Sequence, residues 1–277
     1  MISFPISLNT STLRGHKLPI TQTIDIAAKT GYQGIEPWPD ELDRHVELGG
    51  SLKDLRQRLK DRNLAVTGAI AFFAWMVDDD AERAEAIEEA KTRMDQLAQI
   101  GGTHIAAPPR GDVKSVDLLR AAERYHDLLK LGDQMGVTPA VEVWGHAPNV
   151  HRLGQAVLIA IEANHPKACI LPDVFHLFKG GSGLSGIRVL NAEMIAGFHL
   201  NDYPGGIEPE KSRDSDRVYP GDGVAPLGQL FRDLRDIGYA GALSIELFNP
   251  EYYKQDPTLV AKTALDKTRA VMAAALG

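Results

Sequence analysis

The sequence predicts an α/β protein, a parallel (β/α)8 TIM barrel forming a single domain over residues 1–277. Three observations predict it. Short β-type runs alternate with longer stretches of helical periodicity throughout, and eight such pairs fit in 277 residues, near the roughly 250 typical of these barrels. No Gly-x-Gly-x-x-Gly turn follows the first strand, which removes the main support for the dinucleotide form of an open doubly wound sheet. Single ionisable residues fall at the C-terminal ends of strands, the face on which barrel active sites are built.

Taken in order, the first strand is Ile2 to Leu8, and its helix, Ile20 to Lys29, stops at Gly31. The second strand, Tyr32 to Glu36, leads to a helix over Leu52 to Asp61 that opens at Ser51, a good N-cap. Ala65 to Ala71 precedes the helix Asp80 to Ile100, and His104 to Ala107 precedes Val116 to Met135. The fifth pair is Val137 to Val143 with Val150 to Ala163; the sixth is Ala168 to Asp173 with a short helix near Leu184 to Leu190. Ile195 to Leu200 is followed by a long loop rich in Gly, Pro and charge, Asn201 to Val224, and then by Pro226 to Ile237. Ala242 to Leu247 with Pro257 to Ala275 completes the eight. No composition shift or linker points to a second domain.

Composition narrows the function classes. Lys plus Arg number 30 against 37 Asp plus Glu, a formal net charge of -7, with a pI near 5.7. Without a Lys/Arg run, a polynucleotide partner is disfavoured. Hydrophobic residues at 44% and charged residues at 24% are enough for a sizeable core. The single Cys169 cannot form an intramolecular disulfide and lies in the apolar run Ala168-Cys-Ile-Leu171, where a buried structural thiol is expected. Met1-Ile-Ser-Phe-Pro5 lacks a basic region followed by an apolar stretch, and nowhere do 18 apolar residues run together. A cytoplasmic protein without a membrane partner is expected.

Val141-Glu-Val143, Pro172-Asp-Val174, Phe198-His-Leu200 and Ile245-Glu-Leu247 each embed one ionisable residue among apolar neighbours. Three acids and an imidazole converging on one barrel mouth require a compensating cation. One divalent metal ion held by Glu142, Asp173, His199 and Glu246 supplies it, whereas any one acid alone reads better as paired with Arg or Lys. This oxygen-rich set suits Mn²⁺ or Mg²⁺ and tolerates Zn²⁺ or Co²⁺.

Larger pieces of sequence carry a resemblance: Val141-Glu-Val-Trp-Gly-His146, Asp173-Val-Phe-His176, His199-Leu-Asn-Asp202, Asp216-Arg-Val-Tyr-Pro-Gly-Asp-Gly223 and Ser244-Ile-Glu-Leu-Phe-Asn-Pro-Glu-Tyr-Tyr-Lys254. Over almost its whole length the chain resembles the sugar isomerases and epimerases of the xylose-isomerase-like barrels, most closely the inosose isomerases. The resemblance implies the same four ligands, with His176 and Arg217 facing the substrate.

Read from the residues, the Asp-x-x-His spacing sets Asp173 and His176 on one side of a loop or first helical turn. His176 then either binds a substrate hydroxyl or orients a metal ligand. Arg217, in the long loop, forks onto a substrate oxygen or is a surface residue. Glu36 holds His176 or a substrate hydroxyl, or forms a structural ion pair. Phe72, Phe73, Trp75 and Trp144 follow strands three and five, as aromatic walls for a ring-shaped polyol or as core. Gly180-Gly-Ser-Gly183 lacks the Lys of a phosphate loop and reads as flexible, so the substrate is expected to be unphosphorylated.

The chemistry expected is isomerisation or epimerisation of a cyclic polyol ketone, an inosose. A metal holding both oxygens of an α-hydroxyketone acidifies the intervening carbon-bound proton by stabilising an enediolate. Glu142 and Glu246, on opposite flanks of the mouth, serve as catalytic proton carriers. Rival readings are a ketose 3-epimerase, a hydroxypyruvate isomerase and a 3-dehydroshikimate-type dehydratase, which fold and metal do not separate. An abasic-site endonuclease fits less well, because strand three has no histidine and His104 begins strand four; a non-catalytic sugar-binding barrel has nothing in its favour. The partner is a small polyol ketone or sugar, and a homo-oligomer stays open.

Overall fold

In the computed structural model, which describes residues 4–277, eight short strands alternate with helices. The strands are β1 (Ile6–Asn9), β2 (Gly34–Glu36), β3 (Ala65–Val66), β4 (His104–Ala107), β5 (Thr138–Glu142), β6 (Ile170–Leu171), β7 (Phe198–Leu200) and β8 (Leu243–Ile245). The helices are α1 (Ile20–Thr30), α2 (Pro39–Glu47), α3 (Leu52–Asp61), α4 (Asp80–Ile100), α5 (Leu118–Met135), α6 (Leu153–Glu162), α7 (Val174–Lys179), α8 (Leu227–Asp236) and α9 (Pro257–Leu276). Of the expected first strand, Ile2 and Ser3 lie outside the described residues.

The strands pair in parallel in the order β3-β2-β1-β8-β7 and β4-β5-β6. Two seams close the circle. Between β6 and β7, parallel bridges join Ile170 to Ile195 and Asp173 to His199. Between β3 and β4, the Ala69 N–H donates to the His104 carbonyl and the Ala106 N–H to the Ala69 carbonyl.

Most elements form where the sequence puts them. Gly31 ends α1 with φ 98°, a left-handed conformation that costs glycine least, and the Ser51 hydroxyl accepts the Asp54 N–H to cap α3. Three features differ. The third strand, expected to reach Ala71, pairs as a strand only over Ala65–Val66. From Thr67 it crosses from β2 toward β4 over the Glu36 side chain, where a Cβ on Gly68 would lie 2.7 Å from Glu36 Oε1. The helix expected near Leu184 to Leu190 is a 3-10 turn over Leu184–Val189 that buries only Leu184 and Ile187, too little apolar face to extend. Two helices, α2 and α7, were not expected. α2 buries Leu42 alone and so shows no apolar stripe; α7 is a six-residue turn capped by Asp173.

The main core lies between strands and helices. A small second cluster, Ile70, Ala106, Ala140, Cys169 and Leu171, carries Trp38 and Ala196 at its edge and buries the lone thiol as expected. Among the described residues no helix is long and apolar enough to cross a membrane.

Candidate metal centre and active site

Parallel pairing aims the C-terminal ends of all eight strands at one mouth, and the acids follow. Glu36 ends β2, Glu142 ends β5, Asp173 follows β6, His199 lies in β7 and Glu246 follows β8. Asp173, His199 and Glu246 are all buried, and each offers a donor atom within 4.8 Å of the other two. The His199 Nδ1 stands 3.5 Å from Glu246 Oε2 and 3.9 Å from Asp173 Oδ2. Both ring nitrogens of His199 are buried without a hydrogen bond of good geometry. On the other side of the ring, Nε2 lies 3.0 Å from Glu36 Oε2. Glu36 therefore takes the ion-pair option, with His199 rather than His176. An orphaned imidazole nitrogen facing two carboxylates, with a third behind the ring, is a donor set that fits a divalent cation.

Neighbouring side chains fix these oxygens. Asn9 Nδ2 donates to Glu36 Oε2 at 3.1 Å and to Glu246 Oε1 at 3.2 Å. Asn201 Nδ2 donates to Asp173 Oδ2 at 2.9 Å, and Asp173 Oδ1 accepts the His176 N–H at 2.7 Å. That last bond makes Asp173 the N-cap of α7, so the Asp-x-x-His spacing does bring both residues to the site. The His176 Nε2 sits 3.9 Å from Glu142 Oε1.

Arg217 is not a surface residue: it is 1% exposed. Its Nη1 donates to Asp173 Oδ2 at 2.9 Å and Glu246 Oε2 at 2.7 Å. Its Nη2 lies 2.6 Å from Asp214 Oδ1 and 3.2 Å from His176 Nε2. The guanidinium carbon is 4.8 Å from the Phe175 ring centre and 5.1 Å from that of Phe248. Asp214 Oδ2 in turn accepts a hydrogen bond from His146 Nε2 at 2.9 Å. His146, His176 and Asp214 form a second group of donor atoms within 4.8 Å of one another, but the Arg217 Nη2 already lies against two of them.

The charges are strongly perturbed. Burial pushes Glu142 up to about 8, helped by Glu246 and Asp173 and only partly offset by His199 and Arg217. Burial likewise raises Glu246. Against its own burial, Asp173 is lowered by Arg217 and the two histidines, and Glu36 by His199. Burial opposes a charged His199, yet Glu36 and Glu246 raise it to about 10; His176, dominated by burial, falls to about 3. The pocket as a whole holds cations and resists carboxylate charge in excess of them.

Above the acids is a cavity of about 150 Å³ lined by Trp38, Ile70, Phe72, Glu142, Trp144, His176, Asp214, Arg217, Glu246 and Phe248. Of the four aromatics singled out in the sequence, Phe72 and Trp144 form its wall; Phe73 and Trp75 are fully buried core residues. Sequence reasoning did not single out Trp38, Phe248, Asn9, Asn201 and Asp214. Asn201 and Phe248 sit beside His199 and Glu246 in quoted motifs, a usable signal; Asn9 at the end of β1 had none. Within the glycine segment Gly180 serves packing, since a Cβ there would lie 1.7 Å from the His151 carbonyl oxygen.

Fold and site together define an eight-stranded parallel α/β barrel with a candidate metal centre at the C-terminal mouth. The chain belongs to the xylose isomerase-like TIM barrel family, whose model matches residues 24–271. An inosose isomerase of Bacillus velezensis is 28% identical over 91% of this chain and 92% of its own. A fructoselysine 3-epimerase of Escherichia coli O157:H7 is 26% identical over 93% of this chain and 96% of its own. Among solved structures, the IolI protein with a bound zinc atom superposes with a TM-score of 0.90 at 25% identity, covering 99% of this chain and 100% of that one.

Proposed function

We propose that the protein is a divalent-metal-dependent isomerase or epimerase that acts on a cyclic polyol ketone, an inosose, by proton transfer through an enediolate. The observation that carries this reading is the convergence of two carboxylates able to move protons, Glu142 and Glu246, on one cavity, with Glu246 shared between that cavity and the buried Asp173, His199 and Glu246 donor set. The inosose isomerase and epimerase relatives, matched nearly end to end, and the zinc in the IolI structure support it. We take the single barrel of the described residues as the unit that carries this chemistry.

Asp173, His199, Glu246 and, from the opposite flank, Glu142 would hold one ion of Mn, Mg, Zn or Co. When bound, that ion supplies the positive charge that makes an enediolate accessible. Glu36 holds the His199 Nε2 edge, which keeps Nδ1 toward the ligand set. One of Glu142 and Glu246 removes the carbon-bound proton, and the other returns it at the neighbouring carbon or opposite face. His176 and Arg217 hydrogen-bond substrate oxygens, and Trp144 with Phe72 covers the ring face and excludes water. The acidic balance supports a small-molecule substrate and no nucleic-acid partner.

The test is turnover by metal-loaded protein across a panel of inososes and open-chain ketoses, with abasic duplex DNA alongside. We expect an inosose or related cyclic hydroxyketone to be converted and the DNA to stay intact. Chelator-sensitive incision of abasic DNA at an enzymatic rate, with no ketone converted, overturns the reading.

A further inference from the structure

We propose that Arg217 is the exchangeable counter-cation of the metal site: its guanidinium neutralises Asp173 and Glu246 when no metal is bound, and yields one edge when metal enters. The inference rests on the metal reading above. Its basis is where the two edges of the guanidinium fall. The Nη1 edge lies 2.9 Å from Asp173 Oδ2 and 2.7 Å from Glu246 Oε2, on the carboxylates that would be ligands. The Nε and Nη2 edge is held separately, both nitrogens donating to Asp214 Oδ1 at 3.2 and 2.6 Å. Asp214 belongs to neither the donor set nor a barrel strand.

The two edges have different fates on metal entry. Asp173 Oδ2 and Glu246 Oε2 cannot serve a dication and Nη1 with equal strength, because the charges of the two cations repel at contact distance. The Asp214 edge loses nothing, and the Phe175 and Phe248 rings, at 4.8 and 5.1 Å, keep the guanidinium from leaving the mouth. Arg217 therefore pivots about Asp214, and the freed edge remains beside the cavity that it lines. Without this cation only His199 would face the buried acids of the stripped protein, and leaving part of their charge unpaired is strongly destabilising. With it, the stripped protein keeps its fold, and metal must compete with a resident charge.

The experiment compares chelator-stripped wild type and Arg217→Gln by thermal melting, and by calorimetric titration with Zn²⁺ and with Mn²⁺. Stripped Arg217→Gln should melt roughly 10 °C below stripped wild type. It should bind metal at least tenfold more tightly, so that saturating metal closes most of the gap in melting temperature. Equal metal affinity of the two proteins, or equal melting of the stripped forms, overturns the proposal. If neither protein binds metal while the stripped variant is destabilised, the metal reading fails and Arg217 is a fixed structural cation. A second readout needs no stable Gln variant: ¹⁵N spectra of arginine side chains in stripped wild type, assigned with Arg217→Lys. The Arg217 guanidinium signals should be protected from exchange and should shift or broaden on adding one equivalent of Zn²⁺. Unchanged signals with Zn²⁺ bound overturn the pivot.

Discussion

At the scale of single residues, the proposed function depends on which carboxylates move protons and which only hold charge. Glu246→Gln keeps the shape of the side chain and an oxygen that can touch a metal, but removes the base. Turnover should therefore fall roughly a hundred-fold to ten-thousand-fold while metal binding weakens modestly. Glu142→Gln should behave likewise, and steady-state kinetics at measured metal occupancy check both. Near-parental rates in both variants would exclude two-carboxylate proton transfer. Asp214 gives a pH test at the same scale. Burial would raise its carboxyl, but Arg217 and His146 outweigh burial and hold it well below the ordinary range. A depressed folded pKa contributes stability that is fully present above the unfolded value, about 3.9, and is lost as pH falls through the folded value. Melting of Asp214→Asn should lie below wild type at pH 7, and the difference should shrink below about pH 4. A gap that stays constant down to pH 2 contradicts the ion-pair account.

The residues most legible in the sequence were those isolated among apolar neighbours. Glu142, Asp173, His199 and Glu246 show there because a charge inside a strand is costly unless it is used. Arg217 and Glu36 were visible, but their partners were not. Pairing Arg217 with Asp173 and Glu246 requires the fold of a loop with no periodicity, and the Glu36–His199 pair joins strands far apart in the sequence. Asn9, which links Glu36 and Glu246, is a neutral side chain at the end of a buried strand. Nothing in its neighbours sets it apart.

At the scale of elements, the long segment between β7 and α8 decides whether Arg217 reaches the acids. Asp202 is its latch. The carboxylate is 1% exposed and accepts the N–H groups of Tyr203, Gly221, Gly223 and Ala225 at 2.8 to 3.1 Å. An antiparallel bridge from Asp202 to Val218 sets the register beside Arg217. Gly223 is required there, since a Cβ would stand 2.3 Å from Asp202 Oδ1. Asp202→Ala leaves these donors unpaired, and at about 1.5–3 kcal/mol for hydrogen bonds to a charged group it should cost several kcal/mol of stability. Urea unfolding measures the loss. A change under about 1 kcal/mol would mean that the loop is held by its other contacts. The same segment explains what periodicity could not reveal. Strands and long helices repeat a pattern, whereas α2, α7 and this loop are set by single caps and side-chain acceptors. The third strand was over-read because its apolar run continues past Val66, although the backbone there changes partners from β2 to β4.

At the scale of the whole molecule, closing the sheet carries residues 36, 142, 173, 199 and 246 from across the chain to one mouth. The alternation of eight strand and helix patterns was enough to predict that closure. The two seams are irregular: single bridges at β6–β7 and the Ala69 bonds at β3–β4 stand in for full ladders. The seam at β6–β7 runs between Asp173 and His199 themselves, so the pairing that closes the barrel also brings these two members of the candidate donor set together. The central claim is that this assembled set is a metal centre for proton transfer. Its most direct test is to add Mn²⁺ or Zn²⁺ stepwise to chelator-stripped protein while following inosose isomerisation by NMR. We predict negligible turnover without metal and a linear rise that saturates at one ion per chain. Full turnover by stripped protein, or none across inososes with one ion bound per chain, would contradict it.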